Sequence, residues 1–307
     1  AEDGRPKLSA ADTVNIYEVH GARIFRRPLW RNVLDHWNVL FPRYPLTQLE
    51  EVLQDPSLLG EGLLKNARTD VLITSYDTKG PGPRFFTRWG ASGAGTAPAT
   101  PPETMVQVAL ATAAAPTYFD PERLNASELV DGGVFAGNPA LAAISMALRR
   151  TDDPAPLNLG DLLMISLGTG AWEQPLDYGW GGILGWLRPR TGGEALLEAL
   201  LGSQGDFATE AAHMMLNGWS AASLPGAGST TAGERGPTWW DPNVPPASLG
   251  GGPQFWRYQA TLPEPWSMDD VSKLTELKQV GTQMTQHYEA ELKHLAETLI
   301  QAGPVPA

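Results

Sequence analysis

Short continuous apolar runs alternate along the chain with stretches whose apolar residues recur at helical spacing. The runs at 71–74, 129–130 and 162–167 are typical of strands buried inside a sheet. Residues 105–115 are rich in alanine and other good helix formers, and residues 138–148 place a proline at the start of a helical pattern. Strand–helix–strand order implies right-handed crossovers. The pattern predicts an α/β fold with a mainly parallel central sheet flanked by helices.

The rest of the chain contains further predicted helices and one long segment without periodicity. Residues 9–12 form a capping box, residues 194–216 have a helical pattern, and residues 267–270 precede a long helix with an apolar stripe. Residues 218–253 are rich in Gly, Pro, Ser and Thr, and a segment of this length is typical of a lid or a flexible loop. Since there is no internal repeat and no clean boundary, residues 1–307 are expected to form a single domain.

Composition narrows the class of protein. Of the 307 residues, 42% are apolar, which is enough for a substantial core. The net charge of −12 argues against a nucleic-acid partner and gives little attraction to anionic lipid headgroups, so peripheral membrane contact would rest on apolar residues. No apolar run approaches the roughly eighteen residues of a membrane span. The absence of cysteine excludes disulfides and fits a reducing compartment, so a cytoplasmic location is expected.

Asp131 is the first candidate for a catalytic role. It ends a short apolar strand, and Gly132 and Gly133 follow it, which places the carboxyl group on a turn that we expect to need freedom of backbone angle. The alternative is that this Asp-Gly pair forms a plain turn. The five histidines are scattered and lie in no motif of a catalytic base. No zinc, calcium-loop or clustered carboxylate pattern is present, so neither a metal nor another cofactor is expected.

Several segments of the chain occur in an order that is found in a known enzyme family. They are residues 71–77, 113–119, 129–133, 138–140, 165–170, 255–258 and 268–270. Together they resemble the patatin-like acyl hydrolases, and the resemblance covers nearly the whole chain. It implies the three-layer patatin-like fold, with the dyad aspartate in an Asp-Gly-Gly motif. Here that motif is Asp131 with Gly132 and Gly133 as the supporting turn.

Two other motifs of that family are not found in these residues. These are the Gly-rich oxyanion loop and the Gly-x-Ser-x-Gly elbow that carries the nucleophile. Residues 90–94 lack the final glycine, residues 202–205 have the wrong spacing, and Ser166 has Met164 two positions before it. We therefore expect the chain to be the larger, C-terminal part of such a protein, without the N-terminal strand, elbow and helix. A separate N-terminal segment would then supply the serine.

The resemblance implies a lipid acyl hydrolase of the phospholipase A or esterase type. Asp131 would be the base of a Ser-Asp dyad acting on a lipid or ester substrate. The alternative is a catalytically inactive lipid-binding or scaffold module of the same fold. Residues 166–170 are interpreted as a strand that ends in a glycine turn, rather than as a phosphate loop. Six tryptophans between residues 172 and 240 either line an acyl pocket, touch a membrane interface or pack in the core.

Overall fold

A computed structural model describes most of the chain, namely residues 6–28, 41–91, 102–149, 157–171, 189–190, 193–217, 254–264 and 266–302. The lid or loop predicted at 218–253 and the six tryptophans between residues 172 and 240 lie outside the described residues.

The described elements follow one another in α/β order. The helices are α1 (Ala10–Ile24), α2 (Thr47–Leu53), α3 (Arg88–Ala91), α4 (Met105–Ala113), α5 (Gly133–Ala136), α6 (Ala140–Leu148), α7 (Ala195–Asn217), α8 (Leu274–His287) and α9 (Glu289–Ala302). The strands are β1 (Leu72–Asp77), β2 (Gly82–Thr87), β3 (Glu122–Leu124), β4 (Ser127–Asp131), β5 (Met164–Leu167), β6 (Pro189–Arg190), β7 (Gly193–Glu194) and β8 (Phe255–Tyr258).

The α/β class is confirmed, but the strands pair differently from the expected parallel order. Among the described strands, β2-β1-β4-β3 form one sheet in which all neighbours are antiparallel, and β5 pairs with β8 in parallel. The short connections at 78–81 and 125–126 explain two of the three antiparallel pairs, β1–β2 and β3–β4. They can only reverse the chain, whereas parallel neighbours need a crossover of about a dozen residues or more. Parallel pairing among the described strands is therefore limited to β5 and β8.

Helices cover both faces of the four-stranded sheet. On one face, α4 buries Val108 and Ala111 against Phe86 and Leu129. On the other face, α5 packs against β1, and α7 packs against α5, α6 and β8. The core between α6, α7 and β8 contains Ala140, Ile144, Ala212, Leu216 and Phe255. This layering places the turn between β4 and α5 inside the molecule, between β1 and α7.

The first helix of the chain begins where its sequence signal predicts, whereas the helical region at the end of the chain differs from the prediction. Ser9 and Asp12 form the predicted capping box of α1. The single long helix predicted after residue 270 is instead two helices, which meet at Tyr288. The Tyr288 ring packs edge-on against Tyr258, with 5.2 Å between ring centroids. None of the described helices is long and apolar enough to cross a membrane.

A half-buried polar cluster joins the N-terminal part of the chain to the C-terminal part. Asp269 Oδ2 accepts hydrogen bonds from Arg43 Nη1 and from the Tyr44 hydroxyl, each at 2.6 Å. The Arg43 guanidinium lies over the Tyr118 ring, 4.6 Å from its centroid. Because residues more than two hundred positions apart meet here, the segment before α8 is fixed to the body of the protein.

Candidate active site

The backbone of Asp131 is held between β1 and the end of α4. Asp131 lies opposite Ser75 in the antiparallel pairing of β4 with β1. Its amide donates a hydrogen bond to the Ala114 carbonyl at 2.9 Å. The helix can approach this closely because its contact residues are small: Ala111 and Ala114 are fully buried. The alanine-rich sequence of α4 thus brings its C-terminal end against the acidic turn.

Gly132 is required by close packing and not by backbone angle. Its φ of −65° and ψ of −17° are ordinary helical values, so the expected need for conformational freedom is wrong at this position. A Cβ atom on Gly132 would collide with the Thr74 Oγ1 and carbonyl oxygen and would lie 2.5 Å from the Thr74 carbonyl carbon. The same carbonyl oxygen accepts a hydrogen bond from Thr112 Oγ1 at 2.7 Å. Gly132 therefore fits the turn directly onto β1.

Gly133 orients the Asp131 carboxyl group. Its amide donates a hydrogen bond to Asp131 Oδ1 at 2.7 Å. Burial raises the pKa of the Asp131 carboxyl above its ordinary value, and the Gly133 hydrogen bond opposes that rise. Gly133 also lies outside the left-handed region, so it too is not explained by a positive φ. The result is a partly buried, oriented carboxyl group of increased basicity.

In the part of the chain that the structure describes, no serine hydroxyl hydrogen-bonds the Asp131 carboxyl group. Ser75 is nearest in the strand pairing, but it is fully buried. Its Oγ lies 2.7 Å from the Val130 carbonyl oxygen and 3.1 Å from that of Ala111, so the hydroxyl is used within the sheet. Within the described residues, the hydrogen bond to the Asp131 side chain comes from the Gly133 amide.

The glycines of residues 166–170 have a structural role at the end of β5. The Gly168 amide donates to the Tyr258 carbonyl at 2.8 Å, which continues the pairing with β8. A Cβ on Gly168 would collide with the Gln259 side chain, and Gly170 has a φ of +98°. The geometry is that of a strand ending in a glycine turn, as the sequence interpretation held.

The sequence did not reveal the polar contacts between α7 and the segment that follows Asp131. Asn138 Nδ2 donates to Thr209 Oγ1 at 2.8 Å, and Gln204 Nε2 donates to the Val134 carbonyl at 3.3 Å. The sequence places Asn138 at a helix start and in one of the segments that resemble the patatin-like family, but it indicates no contact with another helix. Because its partner lies 71 residues further on, no local spacing signals the contact. Among the described residues, no cluster of three or more His, Asp or Glu side chains could hold a metal ion.

The fold and site define an α/β protein with an oriented, partly buried aspartate on an Asp-Gly-Gly turn. Residues 8–144 match the model of the patatin-like phospholipase family, which confirms the family resemblance drawn from the sequence over that part of the chain. "Probable inactive patatin-3-Kuras 1" from Solanum tuberosum is 35% identical over 213 residues, which is 61% of this chain and 52% of the relative. Patatin-07 from the same species is 37% identical over 188 residues, 55% of this chain and 44% of the relative.

Patatin-17 from Solanum cardiophyllum is similar to the same degree, with 36% identity over 189 residues, 56% of this chain and 45% of the relative. The chain thus spans about half the length of the curated relatives that it matches. The turn at Asp131 lies inside the region matched by the family model.

Proposed function

We propose that this chain is the larger part of a lipid acyl hydrolase that uses a Ser-Asp dyad, with Asp131 as the base and the serine in a segment outside the chain. The observation that carries the proposal is the Asp131 carboxyl group, which is partly buried and oriented by the Gly133 amide at 2.7 Å. The family description, patatin-like phospholipase, supports a lipid ester as the substrate.

The proposed chemistry needs no metal and no cofactor. Asp131 accepts the serine proton while the serine oxygen attacks the ester carbonyl. The proton then passes to the leaving alcohol as its C–O bond breaks. Water repeats the sequence on the acyl-enzyme: it gives a proton to Asp131, attacks the acyl carbon, and releases the acid as the serine regains its proton. Burial favours this role because a carboxylate with a raised pKa is a stronger base.

The first experiment asks whether a reactive serine exists and where it lies. The native polypeptide that contains this chain would be labelled with a fluorophosphonate probe, and the modified peptide identified by mass spectrometry. We expect an adduct on a serine outside residues 1–307. An adduct on a serine inside these residues would contradict the proposed location of the nucleophile.

The second experiment tests Asp131 with a matched control. Asp131→Asn keeps an Oδ1 acceptor for the Gly133 amide but removes the base, so ester hydrolysis should fall about 10²- to 10⁴-fold while folding is retained. Asp77 is the control because it ends the neighbouring strand, and its Oδ1 accepts the Lys79 and Gly80 amides in the same manner. Asp77→Asn should leave hydrolysis near the native rate. Near-normal turnover of Asp131→Asn would refute the assignment.

A second candidate function is a lipid-binding module of the same fold that has lost hydrolysis. The observation in its favour is the relative named "Probable inactive patatin-3-Kuras 1", which is 35% identical to this chain. The two functions separate in the labelling experiment. Absence of any adduct, together with binding of the native polypeptide to phospholipid vesicles, would favour the inactive module.

A further inference from the structure

The segment that follows Asp131 is held against its surroundings at both ends. At the front, Gly132 packs onto the backbone of Thr74 so closely that a Cβ has no room. At the back, a Cβ on Gly137 would lie 2.9 Å from the Leu201 carbonyl oxygen of α7. Between these ends lies α5, a helix of a single turn. The position of the Asp131 turn therefore depends on β1 at one end and on α7 at the other.

The Asn138 side chain holds the C-terminal end of this segment in place. It is buried, with 6% of its surface exposed. Its Oδ1 accepts a hydrogen bond from the Ala140 amide at 3.1 Å, and its Nδ2 donates to Thr209 Oγ1 at 2.8 Å. The Thr209 hydroxyl donates in turn to the Gly205 carbonyl at 2.8 Å. Because that bond uses the hydroxyl proton, Thr209 Oγ1 can only accept from Asn138, which fixes the orientation of the amide.

The same side chain also reaches the parallel strand pair. Ser166 Oγ lies 3.5 Å from Asn138 Oδ1, and Arg257 Nη1 donates to Ser166 Oγ at 2.9 Å. Asn138 is thus the point at which α7, β5 and β8 meet the end of the Asp131 segment. A buried amide with partners on several elements costs stability if a partner is lost, so this network resists displacement.

We propose that Asn138 and Thr209 are positioning residues that hold the Asp131 turn in its working geometry by fixing the C-terminal end of α5 to α7. This inference rests on the proposed function, because it takes Asp131 to be the base. Few residues separate Asn138 from the Gly133 amide. With α5 reduced to one turn, a displacement at Asn138 is transmitted to Gly133, whose amide orients the carboxyl group.

A positioning role makes the pKa of Asp131 depend on the contact between Asn138 and Thr209, which a merely structural role would not. Weakening the Gly133 hydrogen bond raises the pKa of Asp131, since burial is then less opposed. Among the described residues, Thr74, Ser75, Ala114 and Leu201 lie against the turn from β1, α4 and α7, and none of these four is charged. The pKa of Asp131 is shifted by burial and by the Gly133 hydrogen bond, with no charged group among the causes. The pKa of Asp131 therefore reports on the position of the Gly133 amide rather than on a neighbouring charge.

The test compares three variants in the native polypeptide that contains this chain. Thr209→Val removes the hydroxyl that accepts from Asn138, whereas Thr209→Ser keeps a hydroxyl. Asn217→Ala is the matched control, because Asn217 is another buried amide of α7 that binds the backbone of Gln254 and Phe255 and has no hydrogen bond to the Asp131 segment. The pKa of Asp131 would be measured by carbon-detected NMR titration, and kcat/KM by its pH profile.

The expected result is a shift in Thr209→Val alone. Its Asp131 pKa should rise by about half a unit or more, the size expected when one hydrogen bond to a carboxylate weakens. The acidic limb of kcat/KM should move to higher pH by the same amount, because the base must be ionised. Thr209→Ser should restore the native values, and Asn217→Ala should lower stability without either shift.

Two outcomes separate this proposal from the proposed function. If the NMR titration shifts in Thr209→Val while the polypeptide hydrolyses no ester, the positioning role stands and the proposed hydrolase activity does not. If hydrolysis is normal and both the NMR pKa and the acidic limb stay unchanged in Thr209→Val, the positioning role is overturned. An equal shift in Asn217→Ala would also overturn it, since general loosening of α7 would then suffice.

Discussion

Gly132→Ala provides the sharpest test of how the Asp131 turn is built. The added Cβ would collide with the Thr74 Oγ1 and carbonyl oxygen and lie 2.5 Å from its carbonyl carbon. Two of these atoms belong to the backbone of β1, which pairs with β2 on one side and β4 on the other, so they cannot swing away. Since φ and ψ at Gly132 suit alanine, the cost is purely steric. Overpacking of this kind costs about 1–3 kcal/mol, and we expect about 3 kcal/mol here.

Gly202→Ala is the matched control for this substitution. Gly202 lies inside α7 and a Cβ there would meet nothing within 4 Å. Alanine in a helix interior is more favourable than glycine by about 0.5–1 kcal/mol, so this variant should be stabilised. Denaturant unfolding of the native polypeptide would measure both variants, and hydrolysis should fall only in Gly132→Ala. A Gly132→Ala variant within about 0.5 kcal/mol of the native protein would refute the close-packing argument, since surface substitutions commonly fall in that range.

Three further substitutions test other parts of the structure. Burial and the neighbouring Glu50 raise the pKa of Glu122 from 4.5 to about 7, so its contribution to stability is present below pH ~4.5 and is lost as pH rises to about 7. Glu122→Gln should therefore unfold at a higher temperature than the native protein at pH ~8 but not at pH ~4. Thr117 is a β-branched residue with a φ of +70°, so Thr117→Gly should be stabilised by about 0.5–1 kcal/mol in denaturant unfolding. Burial alone would raise the pKa of the Asp269 carboxyl group, but hydrogen bonds from Ser267, Tyr44 and Arg43 outweigh it and lower that pKa. Stability from Asp269 is thus present above pH ~4 and lost as pH falls through the lowered pKa. Asp269→Asn should cost about 1.5–3 kcal/mol at pH 7 and less at pH 3.

Helices and strand positions could be predicted from the sequence because their signals are local. The α4 helix begins at a Thr104 capping box and consists of good helix formers. Strand pairing could not be predicted, because it depends on partners elsewhere in the chain. The runs at 71–74 and 162–167 have the same apolar texture, yet the first lies in an antiparallel sheet and the second pairs in parallel with β8. The apolar pattern of a strand does not show which other strand it will pair with.

The candidate site likewise combines a feature that the local sequence signals with features that depend on distant residues. Asp131 could be singled out because the motif that contains it is contiguous. The reason for Gly132 could not, because the atom that excludes a side chain belongs to Thr74 on another strand. The role of Asn138 likewise depends on its hydrogen bond to Thr209, 71 residues away. Sequence reasoning therefore identified the residue proposed to carry the chemistry and missed the residues that fix its position.

The region matched by the family model contains Asp131 but not everything that holds it. The match ends at residue 144, whereas α7 begins at Ala195 and contributes Leu201, Gln204 and Thr209 to the back of the turn. An ionised, buried carboxylate costs stability wherever its pKa is raised, so the surrounding contacts must offset that cost to keep the turn in place. On one side the sheet does so through Gly132 and Thr74. On the other side, among the described elements, α7 does so through Leu201, Gln204 and Thr209, which makes this helix part of the candidate active site even though it lies outside the matched region.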